Sequence, residues 1–206
     1  MAPTQAPGSH RIEGFDVVAP GLMPQTWSEP QAMGCATWLW MHSPMHREVP
    51  LHTLSTFLLP ALKRQQFILA LQGDRPVFYM AWALMDEAAE RRYLSQPPVL
   101  MPEADWRCGD RMWVLDWVAP FGHTQALSRL VLRHLVPHAC MRALSHHGDE
   151  RGLRVLPFRG RGCPRDVAQR WWQDRPLATA PDVDRLQRQR STLLAPQQGP
   201  HSGLAT

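Results

Sequence analysis

Between residues 32 and 173 apolar side chains recur at two spacings, one of three or four residues and one of two, and the switches between them divide the chain into elements. Met33, Ala36, Thr37 and Trp40 fall at helical spacing, which predicts a short helix over 32–42. Pro50 suits the first turn of a second helix over 50–62, where Leu51, Leu54, Phe57, Leu58 and Leu62 repeat every three or four positions. Two apolar, aromatic-rich runs follow at 66–71 and 77–84. Gly73-Asp74-Arg75-Pro76 between them is a turn signal, so the pair reads as a β-hairpin. Residues 86–95 read as a charged helix, and 96–109, with Pro97, Pro98 and Pro102, as a loop. A buried strand is expected over 111–119 and a helix capped by Thr124 over 124–135. Strands over 139–145 and 153–158 and a closing helix over 165–173 complete the pattern.

This order predicts one α/β domain over 31–176, with a mixed sheet flanked by helices. The 206-residue length suits a single domain. Residues 1–30 hold five prolines and little periodicity and read as a flexible leader. Residues 177–206 read as a flexible tail with a short helix over 183–194.

Charge changes the picture only in part. The formal net charge is +4, and the positive charge is almost all arginine, Lys63 being the one lysine. Between Arg111 and Arg175 eleven arginines face five carboxylates, a local balance of +6. Such a stretch attracts an acidic partner, whether nucleic acid, anionic membrane or acidic protein. The four cysteines are scattered with no CxxC pair, which fits reduced thiols in the cytoplasm better than a zinc site. The first thirty residues contain no apolar core of a signal peptide, and no apolar run reaches the ~20 residues that span a bilayer.

Two segments concentrate reactive side chains. In the first, His46 follows Ser43-Pro44, where a helix must stop or turn, and a loop imidazole takes up protons near neutral pH. In the second, Asp116 stands inside the apolar run Trp113-Val114-Leu115-Asp116-Trp117-Val118, where a carboxylate is costly unless paired. Local sequence leaves open a surface histidine and a structural or solvent-facing aspartate. His42 and His46 are four apart, but Pro44 interrupts the helix that metal ligation would need, so no metal is expected. Arg159-Gly160-Arg161-Gly162 reads as a basic turn that could hold an anion or lie idle on the surface. Neither a Gly-x-Ser-x-Gly elbow nor a phosphate-binding loop is present.

Taken together, Trp38-Leu39-Trp40 with Ser43-Pro44-Met45-His46-Arg47, Gly109-Asp110-Arg111-Met112-Trp113 and Asp116-Trp117-Val118-Ala119-Pro120-Phe121-Gly122 resemble the RTX toxin-activating lysine acyltransferases over about residues 34–175. The long leader is a departure from that pattern. The resemblance implies a cytoplasmic enzyme with a GNAT-like fold that moves a fatty acyl group, such as palmitoyl, from acyl carrier protein to internal lysines of an RTX protoxin. It implies His46 and Asp116 as the catalytic pair, with Ser43 and Arg47 as auxiliary residues. Gly122, His123 and Thr124, at the turn into the helix that GNAT enzymes use for their donor, are candidate donor contacts, as are Arg159 and Arg161. Acyl carrier protein is then a co-substrate, with no bound cofactor. The other partners are the protoxin and a second copy of the chain, without nucleic acid or stable membrane insertion. Trp38, Trp40, Trp113 and Trp117 are candidate walls for the acyl chain, with ordinary core packing as their competing role. The competing function is a non-catalytic toxin chaperone or a basic nucleic-acid-binding module.

Overall fold

In the computed structural model, residues 9–96, 100–145 and 154–178 are described. Seven strands lie side by side in chain order: β1 (His10–Ile12), β2 (Phe15–Val18), β3 (Phe67–Gln72), β4 (Arg75–Met85), β5 (Arg111–Val118), β6 (Cys140–Ser145) and β7 (Arg154–Arg159). Every neighbouring pair is antiparallel except β5 and β6. The sheet is therefore mixed and open, consistent with a GNAT-like arrangement. One face is covered by α1 (Glu29–Met41), α2 (Leu59–Lys63) and α3 (Glu87–Ser95), and the other by α4 (Thr124–Leu130). The last helix, α5 (Arg165–Asp174), packs Ala168 against Cys140 and Cys163. No described helix is long and apolar enough to cross a membrane.

The leader expectation gives way over residues 10–18. These form a hairpin whose second strand extends the sheet by pairing Asp16, Val17 and Val18 with Leu71, Ala70 and Leu69. Phe15, Val17 and Ala19 are buried. The period-two signal is there, but it spans too few residues to stand out among the prolines. Glu13 and Gly14, both at positive φ, make the two-residue turn. The tail helix expected over 183–194 lies outside the described residues.

Local chemistry accounts for the other boundaries. Ser28 caps α1 by accepting the Gln31 amide, so the helix starts three residues before the apolar pattern does. Asp86 does the same for α3 through the Ala89 amide. Thr124 is not a cap but the first helical residue of α4. His123 holds the cap position, without a side-chain bond to the helix. The helix predicted over 50–62 is a wide turn at Leu54–Leu58 running into α2, and α4 likewise widens at Val131–Leu135.

Two irregularities in β5 shape the centre of the sheet. Ala81 pairs with Asp116 while Trp82 pairs with Val114, so Leu115 is an extra residue, a β-bulge. Trp113, Leu115 and Val118 consequently pack on the α1 face, and Met112, Val114 and Trp117 on the α4 face. Without the bulge, strict alternation would send Asp116 toward α4. Beyond that point the sheet also parts, because β6 pairs with β5 only at Met112, Trp113 and Val114.

Candidate active site

α1 stops at Met41, and the tight turns after it bring His46 back over the end of its own helix, with the His46 and Arg47 amides both donating to the Ser43 carbonyl. Pro44 has no N–H with which to continue α1, so the histidine is carried on a turn rather than a helical face. The bulge in β5 turns Asp116 toward that loop. His46 Nε2 lies 3.0 Å from Asp116 Oδ1. The other carboxylate oxygen, Oδ2, accepts the indole N–H of Trp40 at 2.8 Å. Trp40 also lies against the imidazole, with ring centroids 5.0 Å apart and planes at 32°. On the far side of the ring, His46 Nδ1 is 2.8 Å from Ser43 Oγ. The Asp116 side chain is 4% exposed and that of His46 14%, so the pair reaches solvent through the imidazole.

This geometry fixes proton positions. A carboxylate can only accept, so Nε2 carries the hydrogen, and in the neutral ring Nδ1 is the basic lone pair, accepting from Ser43. The serine, histidine and aspartate form a triad-like chain, with the imidazole turned so that Nδ1 faces the hydroxyl. Ser43 and His46 thus form a potential nucleophile–base pair without a Gly-x-Ser-x-Gly elbow. Of the two roles the sequence offered Trp40, acyl-chain wall and core packing, the structure bears out the core, and it adds a polar contact. A buried indole N–H must find an acceptor, and Asp116 is that acceptor.

The other expected residues divide. Arg47 turns outward to Glu48, at 3.6 Å and well exposed, away from Asp116. Gly122, at φ +84°, His123 and Thr124 follow β5 directly. Phe121 in that turn packs on Trp38 and His42 of the α1 end, and the Arg75 guanidinium stands 3.8 Å over its ring. Gly34, Cys35, Trp38, Asp74, Arg75 and Pro76 line an open depression of about 550 Å³ beside it. Trp113 is core, its N–H donated to Glu90, and Trp117 lies against Phe78 on the α4 face.

Arg159 and Arg161 are elsewhere. The amides of Gly160, Arg161 and Gly162 are donated to the carbonyls of Ala139, Leu132 and Pro137, and the Arg159 guanidinium to that of Cys163. A Cβ at Gly160 would stand 2.2 Å from the Pro137 carbonyl oxygen. The turn is therefore a clamp on the far end of the α4 segment, about 15 Å from Thr124 by helical rise. Its amides are spent on these carbonyls, which favours the idle surface turn over the anion-holding one among the two readings the sequence left open.

Comparison with known proteins places this geometry. Residues 25–159 match the model of the RTX toxin acyltransferase family. The chain belongs to that family. It is 42% identical over 154 residues to the protein-lysine palmitoyltransferase CyaC of Bordetella bronchiseptica, covering 73% of this chain and 81% of that one. It is 33% identical over 165 residues to the RTX-I toxin-activating lysine-acyltransferase ApxIC of Actinobacillus pleuropneumoniae, covering 80% and 86%. It is 34% identical over 140 residues to the protein-lysine myristoyltransferase HlyC of Escherichia coli, covering 68% and 81%. These relatives are protein-lysine acyltransferases, and the matched span includes the loop of His46 and the bulged strand of Asp116.

Proposed function

We propose that this protein transfers a fatty acyl group from acyl carrier protein to the ε-amine of internal lysines in an RTX protoxin, in the cytoplasm. The observation that carries the chemistry is the Ser43–His46–Asp116–Trp40 chain, with one basic nitrogen directed away from the buried carboxylate. A lysine is protonated at neutral pH and must lose a proton before attacking. His46 Nδ1 takes it. The neutral amine nitrogen then bonds to the thioester carbonyl carbon, the C–S bond breaks, the departing thiolate recovers the proton from the imidazolium, and the second proton on the nitrogen passes to solvent to leave the neutral amide. Asp116 holds the tautomer and offsets the imidazolium charge, and Trp40 fixes the carboxylate's second oxygen.

An apolar substrate suits the surroundings. Met41, Met45 and Leu51, exposed on the stretch that carries Ser43 and His46, and the depression beside Trp38 offer apolar surface to a fatty chain. An acidic carrier as donor is supported by the basic stretch 111–175 and by the absence of a glycine-rich pyrophosphate loop at 120–124. Gly122, His123 and Thr124 remain the candidate contacts for the donor's reacting end. Arg161 is a candidate only for the body of a protein donor.

The 2.8 Å contact between Ser43 Oγ and His46 Nδ1 favours a second path, in which Ser43 is acylated first and the lysine attacks that ester. The test uses purified protein, a toxin fragment, and acyl carrier protein or coenzyme A carrying the same acyl group. Acyl-lysine formed with the carrier, more slowly as salt rises, supports the reading. Equal use of both donors, or indifference to salt, removes the carrier from it.

A further inference from the structure

The acyl-transfer chemistry leaves two buried thiols unused, Cys140 and Cys163. Cys140 opens β6, opposite Arg159 of β7. Cys163 closes the turn after β7, where its amide is donated to the Gly160 carbonyl and its own carbonyl accepts the Arg159 guanidinium. The Gly160 amide bonds to the carbonyl of Ala139, the neighbour of Cys140, so the turn folds back onto the start of β6. The two sulfurs are thereby brought to 3.6 Å. A disulfide needs them about 1.5 Å closer, a change that rotation of the two side chains can supply. Among the described residues no group of three metal-ligating side chains forms, so the pair has the composition of a redox couple and not of a zinc site.

Their surroundings give the two thiols different parts. Burial, and then the Cys163 sulfur, push the Cys140 thiol up to about 11, against the pull of the Arg159 and Arg175 cations. Cys140 therefore stays protonated and can donate its S–H to Cys163, whose sulfur carries the charge when the pair loses a proton. The cover over them is thin. α5 packs Ala168 onto the two sulfurs and leaves most of its other side chains in solvent. A helix held by so little apolar contact opens locally at low cost and admits a small oxidant.

We propose that Cys140 and Cys163 form a redox modification site, which a peroxide converts from dithiol to disulfide and a dithiol reductant restores. The Cys163 thiolate attacks one peroxide oxygen, the O–O bond breaks and hydroxide leaves, giving a sulfenic acid. The Cys140 sulfur then attacks the sulfenic sulfur. The S–O bond breaks, and the S–H proton leaves with the hydroxyl as water. With the proton first lost from Cys163 joining the hydroxide, two thiols and one hydrogen peroxide become one disulfide and two waters. The sulfurs give up two electrons, and the peroxide takes them. The new bond ties the start of β6 to the turn that opens α5. That turn already binds the carbonyls of Leu132, Pro137 and Ala139, so the disulfide latches the end of the α4 segment, β6 and α5 together. In a reducing compartment the dithiol is the resting form and the disulfide a response to peroxide. The site does not depend on the acyltransferase reading.

The test is peptide mapping of the folded full-length protein. Reduced protein, freed of reductant, is treated with equimolar hydrogen peroxide, blocked with N-ethylmaleimide and digested with trypsin without reduction. The expected product is His134–Arg142 joined to Gly162–Arg165, two hydrogens lighter than the separate peptides and separated again by dithiothreitol. Links to Cys35 or Cys108 in its place, unlinked oxidised Cys140 and Cys163, or a link that forms only in urea would each overturn the proposal. The thermal midpoint of the oxidised protein should rise by about 4–8 °C, the shift that a typical disulfide gives a chain of this size. Peroxide-treated Cys163→Ala, or Cys140→Ala if that variant unfolds, should show no rise. An unchanged midpoint in the oxidised parent, or an equal rise in the variant, overturns the latch.

Discussion

Glu90 and Asp116 are both buried carboxylates on the α1–α3 face of the sheet, yet their surroundings differ. Glu90 accepts from Arg111 at 2.6 Å, Trp113 at 2.8 Å, Arg142 at 2.9 Å and the Ala178 amide at 3.1 Å. Its partners are permanent cations and fixed N–H groups, and the carbonyls of Arg175 and Pro176 bind the same two arginines. Burial lowers Arg142 from its ordinary range, and Glu90 works against that. Among the described residues Asp116 has two side-chain partners, the Trp40 N–H and a histidine that can change charge and reaches solvent. A carboxylate saturated by permanent donors holds elements together. One whose main partner titrates can manage a proton.

The sharpest break of this comparison is Asp116→Asn. Its amide NH₂ would face His46 Nε2 and force the other tautomer, leaving Nδ1 protonated toward Ser43. Acyl transfer should fall by about 10³-fold or more with thermal stability nearly unchanged, read by kinetics and calorimetry side by side. Glu90→Ala should do the reverse. It strands two buried arginines and frees the 175–178 segment, at a cost of about 3–5 kcal/mol in chemical denaturation. Activity per folded molecule should stay close to the parent's. Ser43→Ala separates the two paths: direct transfer predicts less than about a tenfold loss of kcat, whereas an acyl-serine path predicts near-complete loss. The smallest effect is expected from Arg161→Glu, a two- to threefold rise in the carrier-donor KM at low salt that vanishes at high salt. Arg75→Glu, beside Phe121 and nearer the site, should exceed it.

The two centres were unequally legible in the sequence. Asp116 could be singled out because a lone carboxylate interrupts an apolar strand, and His46 because Ser43-Pro44 ends the helix before it. Their approach to one another followed from the family resemblance and not from periodicity, since it depends on the bulge at Leu115, and a bulge leaves no periodicity of its own in so short a strand. Glu90 was hidden because α3 reads as a charged surface helix, with Glu87, Arg91 and Arg92 around it. Only the tertiary arrangement of Arg111 and Arg142 makes it a core residue. The β1–β2 hairpin was missed because it has three- and four-residue strands among prolines. The glycine and arginine residues at 159–162 left two readings open, because a turn whose amides are already bonded looks the same in sequence as one whose amides are free.

The central claim is that His46, held by Asp116, is the base that makes a toxin lysine nucleophilic. The most direct measurement is peptide mass spectrometry of a toxin fragment co-expressed with this protein or with its His46→Ala variant. Fatty acyl groups are expected on internal lysines with the parent protein and unmodified lysines with the variant, both proteins being equally folded. Acylated lysines in the variant's sample, or none in the parent's, would contradict it.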